Sequence, residues 1–285
     1  MTVKPDALAA AGLELVETNP APPEVPHESR KPAVKPPPDP AARADSRLLR
    51  SGLAFIWVVT GLGALHPYYQ KVGHTYLEAL GLPDWVMYAA CAAEVVLGLW
   101  VAAGIAWRGA AVVQAVLIVG FTITLGAMQP TLLVDPYGAL AKNLVLLAMV
   151  ATVWLLERDG WTPWSRWLLR GGVASVWITE GLFAKVLFPQ PTAFGLFEGF
   201  WLLSSDPVAF LRFAGACETA LGVLVLALHG RALRLLLLGV MLGLVALPLV
   251  VSWGRWDVWF HPFGALTKNV PTLVATWVVL RRCGG

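Results

Sequence analysis

The chain has 285 residues, of which 57% are hydrophobic and only 14% are charged, and its formal net charge is +3. In soluble domains about a quarter of the residues are charged, so this composition excludes an ordinary water-soluble protein. The small positive charge does not suggest nucleic-acid binding, and the sequence has no Gly-rich phosphate loop of a nucleotide-binding domain.

The first 46 residues differ from the rest of the chain. They hold ten of its 21 prolines and include the run KPPPDP. A segment of this kind cannot bury enough apolar surface to fold by itself. We therefore predict a disordered Pro-rich tail over 1–46, with a Pro-rich docking site as the alternative.

Eight apolar segments follow the tail, and most are close to the roughly 20 residues that span a bilayer. The sequence therefore predicts an all-α integral membrane protein with eight transmembrane helices. In the last segment, Pro271 is expected to kink or end a helical turn. The segments lie at about 48–66, 84–107, 109–127, 139–156, 168–188, 207–228, 232–252 and 264–280.

Arginine and lysine residues predict the orientation, because they concentrate in short cytoplasmic loops. If the chain has eight spans, the loops on the side opposite the amino-terminal tail contain only two basic residues, Lys71 and Arg255. We therefore predict that the chain crosses the membrane several times and that both termini are cytoplasmic. The tail side receives Arg43, Arg47, Arg50, Arg108, Arg158, Arg166, Arg170, Arg231, Arg234, Arg281 and Arg282.

The sequence contains an internal repeat of four helices. RSGLAFIWVVTGL from Arg50 matches RGGVASVWITEGL from Arg170, and DPYGALAKN from Asp135 matches HPFGALTKN from His261. Because four is an even number, the two copies are expected to cross the membrane in the same direction, related by an axis along its normal. We place the first four-helix copy at 47–158 and the second at 159–285.

The repeated motif places polar residues at the non-cytoplasmic start of each fourth helix. Lys142 and Lys268 are expected about one turn inside the helix, each followed by an asparagine, Asn143 or Asn269. A lysine at this depth can extend to the interface or reach a carboxylate on another helix. The motif either caps the helix and binds it to its neighbours, or contacts a ligand or ion.

Two glutamates are predicted near mid-membrane. Glu94 and Glu218 occupy equivalent positions in the second helices of the two copies. A carboxylate in hydrocarbon is costly unless it is neutral or paired, so each marks a candidate functional site. We expect Lys142 to pair with Glu94, and Lys268 or Lys185 to pair with Glu218. Structural interhelical pairs are the alternative.

Polar residues are distributed unequally between the copies. The second copy has Glu180, Lys185 and Arg212, whereas the first has Thr60 and Leu65 at the positions of the first two. If only one copy keeps a working cavity, the second is therefore favoured, with the first as a scaffold.

The cysteines and histidines give weak indications. The three cysteines include no CxxC pair, and Cys91 and Cys217 are interpreted as small apolar side chains. Histidines on the non-cytoplasmic side lack the i, i+4 spacing of helical ligands. No metal site is predicted.

The chain resembles the DoxX-like family of small four-helix membrane proteins, here as a tandem pair. The resemblance covers about 48–282 and rests on RSGLAFIW and RGGVASVW, AAEVVLG and CETALGVL, and PYGALAKN and PFGALTKN. A Gly-x-x-Lys feature of many members is similar to GLFAK at Gly181–Lys185. In the first copy Leu65 replaces that lysine.

The resemblance implies a multi-pass subunit of the inner membrane that belongs to a redox or stress-related complex. A quinone is the candidate ligand, and a soluble or membrane oxidoreductase is the candidate partner. Two alternatives stay open. One is a transporter of a small or proton-coupled solute that uses the membrane carboxylates, and the other is a structural or assembly protein. Whether the protein is an enzyme is left open.

Overall fold

The structure is a computed structural model that describes residues 39–134, 139–189, 206–253, 256–262 and 266–283. These residues form nine α-helices and no strand. Short 3-10 turns follow α1 and α4 and precede α9, and a π-helix, Thr179–Leu187, continues α6. The helices are α1 (Pro40–Leu62), α2 (Pro67–Ala79), α3 (Trp85–Ala103), α4 (Trp107–Met128), α5 (Ala139–Asp159), α6 (Pro163–Ile178), α7 (Pro207–Ala227), α8 (Gly230–Val251) and α9 (Asn269–Arg282).

Helix α1 begins earlier than the sequence predicted, at Pro40, so the last residues of the predicted tail belong to the helix bundle. The Asp39 side chain accepts a hydrogen bond from the backbone N–H of Ala41 at 2.5 Å, and proline suits the first turn of a helix. Asp45 is fully buried, where it contacts Trp161 and Arg282. The rest of the predicted tail lies outside the described residues.

Six of the described helices are long and apolar enough to cross a membrane, judged by length and composition: α1, α3, α4, α5, α7 and α8. The other two predicted segments are helical as well. One is α6 with its π-helical extension, and the other is α9, which has only 14 residues. Helix α9 begins at Asn269, later than the predicted start at about 264. Pro271 lies in its first turn, where a proline is tolerated.

The first two spanning helices of each copy cross closely, α1 on α3 and α6 with its π-helix on α7. Glycines at equivalent positions permit both crossings. A Cβ added to Gly61 would lie 2.4 Å from the Cys91 carbonyl oxygen, and one on Gly181 would lie 2.4 Å from that of Gly215. Since real Cβ atoms do not approach so closely, these crossings require glycine.

The fourth helix of each copy packs against the first helix of the other copy. Helix α5 lies against α6, and α9 lies against α1. These four helices form the centre of the bundle and carry most of the buried apolar side chains, whereas α3, α4, α7 and α8 expose most of their apolar surface. The two copies therefore share one core.

Helix α2 was not predicted, because it lacks a long apolar run. It has 13 residues, begins with Pro67 after His66, and buries only Tyr69, Gly73 and Leu77. Tyr69 and Leu77 pack with Met87 and Cys91 of α3 in a small second apolar cluster. Helix α2 thereby covers the start of α3.

Candidate functional site

A cavity of about 410 Å³ is lined by helices α1 to α5 of the first copy and by Pro262 and Lys268 of the second. Its walls are mainly apolar, and its polar lining includes Glu94, Asn143 and Lys268. A mostly apolar cavity with a few convergent polar groups is the usual form of a small-molecule site. The sequence favoured the second copy for a working cavity, and that stays a prediction; the cavity described here lies in the first copy. The apolar walls include Ile56, Leu77, Met87, Ile118, Phe121 and Leu146.

Glu94 lies on α3 and lines this cavity. Its Oε2 atom is buried and has no hydrogen-bond partner among the described residues. The cation that acts on it electrostatically is Lys268 at the start of α9, not Lys142. The predicted pairing of Glu94 with Lys142 is therefore wrong, because α9 and not α5 brings its lysine to the first copy's glutamate.

Asn143 connects the cavity to the cation. It is buried on α5 and accepts a hydrogen bond from Lys268 Nζ at 3.4 Å. Its own Nδ2 donates to Thr122 Oγ1 on α4 at 2.8 Å. A buried amide with both ends bound has a fixed orientation, so Asn143 holds the lysine ammonium toward the cavity.

Lys142 belongs to a different pair. It is buried on α5, as the predicted position one turn inside the helix requires, and its Nζ lies 4.0 Å from Glu180 Oε1 in the π-helix of the second copy. Lys268 is not one turn inside its helix, since it caps α9. Each lysine of the repeated motif thus approaches a glutamate of the other copy.

Lys185 and Glu218 form a direct ion pair inside the second copy. Both side chains are nearly buried, with exposed fractions of 10% and 15%. This confirms one of the two partners predicted for Glu218. Lys185 reaches Glu218 from the π-helix, a form of helix that occurs mostly as short insertions and often at functional sites.

The remaining predicted site residues lie apart from these pairs. Arg212 is on the exposed face of α7, and Asn269 is the half-buried first residue of α9. The structure therefore brings together Glu94, Asn143 and Lys268, then Lys142 and Glu180, then Lys185 and Glu218. Among the described residues, no group of three or more histidine, cysteine, aspartate or glutamate side chains is arranged to hold a metal ion.

His261 is buried near the lysines of the repeated motif and was not among the predicted site residues. Its side chain is 6% exposed and lies 6.1 Å, ring to ring, from Tyr68. Burial, together with the nearby ammonium groups of Lys142 and Lys268, lowers the pKa of His261 to about 4. The sequence did contain an indication of His261, because this residue replaces Asp135 at the first position of the repeated motif, most of which is the same in both copies.

The family model described as the DoxX-like family matches the chain twice, over residues 54–151 and 174–277. The two matches cover most of the chain and correspond to the two copies. The chain belongs to the DoxX-like family. This confirms the resemblance and its tandem arrangement. No curated protein matches this DoxX-like chain, and no solved structure does.

Membership of the family and the apolar helices make the chain a multi-pass membrane protein. Within this DoxX-like protein, the two copies differ in how they use equivalent glutamates. Glu218 is bound by a lysine of its own copy, whereas Glu94 faces a cavity and depends on a lysine from the other copy. The cavity of the first copy is therefore the candidate functional site.

Proposed function

We propose that this DoxX-like protein is the membrane subunit of a redox or stress-related complex and binds a lipophilic molecule with hydrogen-bonding oxygens, such as a quinone, in the cavity of the first copy. The supporting observation is the cavity itself, whose apolar walls close on Glu94, Asn143 and Lys268. An apolar ring and tail fit such walls. Carbonyl oxygens accept hydrogen bonds from an ammonium or an amide N–H.

The proposed setting keeps the membrane arrangement inferred from the sequence. Six helices fit a membrane span by length and composition, and the proposal adds α6 with its π-helix and α9 as the seventh and eighth. Both termini lie in the cytoplasm and the membrane is the inner membrane. A soluble or membrane oxidoreductase is the proposed partner.

Quinone binding can be measured directly in the purified protein. Trp57 lines the cavity, and its Nε1 donates to Gln114 Oε1 at 3.0 Å, so a bound quinone is expected to quench its fluorescence. Titration with decylubiquinone in detergent should saturate. Lys268→Met should weaken binding by about 10- to 150-fold, since a hydrogen bond from a charged donor contributes about 1.5–3 kcal/mol.

Two further variants sharpen this test. Met87→Trp, which places a larger side chain in the cavity wall, should abolish saturable quenching. Trp57→Phe should remove the quenching signal, at a cost in stability of about 1–3 kcal/mol because the buried Gln114 loses its donor. Arg212→Gln is the control, because Arg212 is an exposed cation that does not line the cavity. Equal affinity in the original chain, Lys268→Met and Met87→Trp would contradict a ligand role for the cavity.

A structural role is the second candidate, and one observation favours it for the second copy. Lys185 and Glu218 bind each other directly and both are nearly buried, as in an ion pair that only joins helices. Under this reading, variants of Glu94 and Glu218 lower stability equally and neither affects ligand binding. Saturable quinone binding that is lost only in the cavity variants would separate the two readings.

A further inference from the structure

A second pocket, of about 380 Å³, lies at the end of the bundle where α6 begins and where α7 and α9 end. It shares no lining residue with the first cavity. Basic and aromatic side chains dominate its lining, and no described residue that lines it is acidic. These side chains are Arg166, Arg170, Arg282, His229, Trp161 and Trp167.

The equivalent region of the first copy explains what is unusual here. There, Arg50 is the counterpart of Arg170, and its Nη1 lies 3.7 Å from Glu157 Oε1. Ser46 also donates a hydrogen bond to Glu157, at 3.0 Å. In the first copy, this arginine is therefore paired with a carboxylate from the end of the fourth helix of the same copy.

The second copy lacks this carboxylate. In the fourth helices, equivalent residues are 126 positions apart, so Cys283 corresponds to Glu157 and Arg282 to Leu156. In the first helices they are 120 positions apart, so Arg166 corresponds to Ser46. At these three positions one anion has been lost and two cations have been gained, while Trp167 stands at the position of Arg47. An excess of positive charge at a partly buried site is unfavourable without a counter-charge.

The protein supplies part of that counter-charge. Asp45 binds Arg282 through Nε at 2.6 Å and contacts Arg281 at 3.3 Å. Arg170 is held by neutral groups instead, since its guanidinium donates to the carbonyl oxygens of Val225 and Leu226 at the end of α7. These contacts hold two of the three arginines that line the pocket in place.

The aromatic residues indicate where the pocket lies in the membrane. Trp167 is about half exposed, and the Arg170 guanidinium stacks over its ring at 4.8 Å. Arg282 lies over the ring of Trp161 at 5.4 Å. Tryptophan is enriched at the level of the lipid headgroups, and basic pockets between membrane helices bind anionic headgroups.

We propose that this pocket binds the phosphate group of an anionic phospholipid, which replaces the carboxylate that Glu157 provides in the first copy. Arg166, Arg170 and Arg282 would face the phosphate, and Trp161 and Trp167 would contact the glycerol region. A soluble phosphate offers the same chemistry, so the experiment below includes both sources. The proposal does not depend on a ligand in the first cavity.

The test uses full-length protein, stripped of lipid in an uncharged detergent, and follows its thermal unfolding as phosphatidylglycerol is added to phosphatidylcholine micelles. The midpoint is expected to rise with the phosphatidylglycerol fraction. Arg166→Gln should require roughly five times more phosphatidylglycerol for half of the effect, as expected for one basic residue near a membrane anion.

Cys283→Glu is the decisive variant, because it restores the carboxylate of the first copy without removing any arginine. It should abolish the response to phosphatidylglycerol and raise the midpoint in pure phosphatidylcholine, because it supplies the counter-charge itself. Arg108→Gln is the control, since Arg108 is an exposed arginine at the same end of the bundle that stacks on Trp154 and does not line the pocket. It should respond as the unmodified protein does.

Native mass spectrometry of the same samples gives a second readout that does not depend on the stability of a variant. The unmodified chain and Arg108→Gln should retain one phosphatidylglycerol that Cys283→Glu loses. An equal response in all four proteins would overturn the proposal. A rise in midpoint with inorganic phosphate and none with phosphatidylglycerol would also overturn it, by assigning the pocket to a soluble anion.

Discussion

Mild acid is expected to destabilise the protein through His261. This side chain is buried next to Tyr68, and burial together with the ammonium groups of Lys142 and Lys268 lowers its pKa to about 4. In the unfolded chain the same imidazole has a pKa of about 6.5. The folded protein therefore resists protonation at a pH where the unfolded chain accepts a proton.

The sign and size of the effect follow from this difference. Above a pH of about 6.5, this histidine is neutral in both the folded and the unfolded chain, so it does not change the free energy of unfolding. As the pH falls from about 6.5 toward about 4, the unfolded chain binds a proton there, and the free energy of unfolding decreases. At pH 5 the unfolded chain binds almost one more proton at this residue than the folded chain. The free energy of unfolding should therefore be about 2 kcal/mol lower at pH 5 than at pH 7.5.

The assay is denaturant unfolding in detergent at these two pH values. In His261→Gln, the loss between pH 7.5 and pH 5 should shrink by about 2 kcal/mol, since an amide does not titrate in this range. His74→Gln is the control, because His74 is partly exposed beside Asp84, and it should keep the full loss. If His261→Gln and the unmodified protein lose the same free energy on acidification, His261 is not held neutral by its surroundings.

Three further predictions concern packing and buried charge, all read from the free energy of unfolding. Lys185→Met should cost about 3–5 kcal/mol because it leaves Glu218 buried alone. Adding Glu218→Gln should recover most of that loss, and equal costs for the single and the double variant would contradict a direct pair. Gly181→Ala should cost about 1–3 kcal/mol, since its Cβ would meet a carbonyl oxygen at 2.4 Å, whereas Gly171→Ala, which faces open space, should cost nothing. Asp45→Asn should cost about 3–5 kcal/mol by removing the charge that binds two arginines of α9, and a change below 1 kcal/mol would show that water replaces it.

Most of the helical framework was predictable from the sequence, because a membrane helix must satisfy its own backbone and so requires a long apolar run. The runs at 84–107 and 109–127 correspond to α3 and α4, and the repeat corresponds to the two matches of the family model. Helix α2 was missed for the same reason. It is short and only one side of it is buried, so it produces no apolar run, although it closes one side of the cavity.

The charged pairs were harder to predict than the helices. Glu94, Lys142 and Lys268 were identified from their depth and their repetition, but their pairing depends on which helices of the two copies are adjacent. Repeat spacing gives the relation between equivalent residues and does not give the packing of α9 on α1 or of α5 on α6. The natural assumption, a lysine and a glutamate of the same copy, was therefore wrong for Glu94.

The exchange of lysines between copies has a consequence for how the two halves can diverge. In the second copy Lys185 binds the local glutamate, so the charge of Glu218 is balanced without help from the first copy. At the equivalent position in the first copy, Leu65 is 79% exposed and offers no charge. Glu94 then depends on Lys268, which reaches it from the other copy and beside Asn143. Because an uncompensated carboxylate in a membrane is strongly unfavourable, the first copy can keep an open cavity at Glu94 only while the second copy is packed against it.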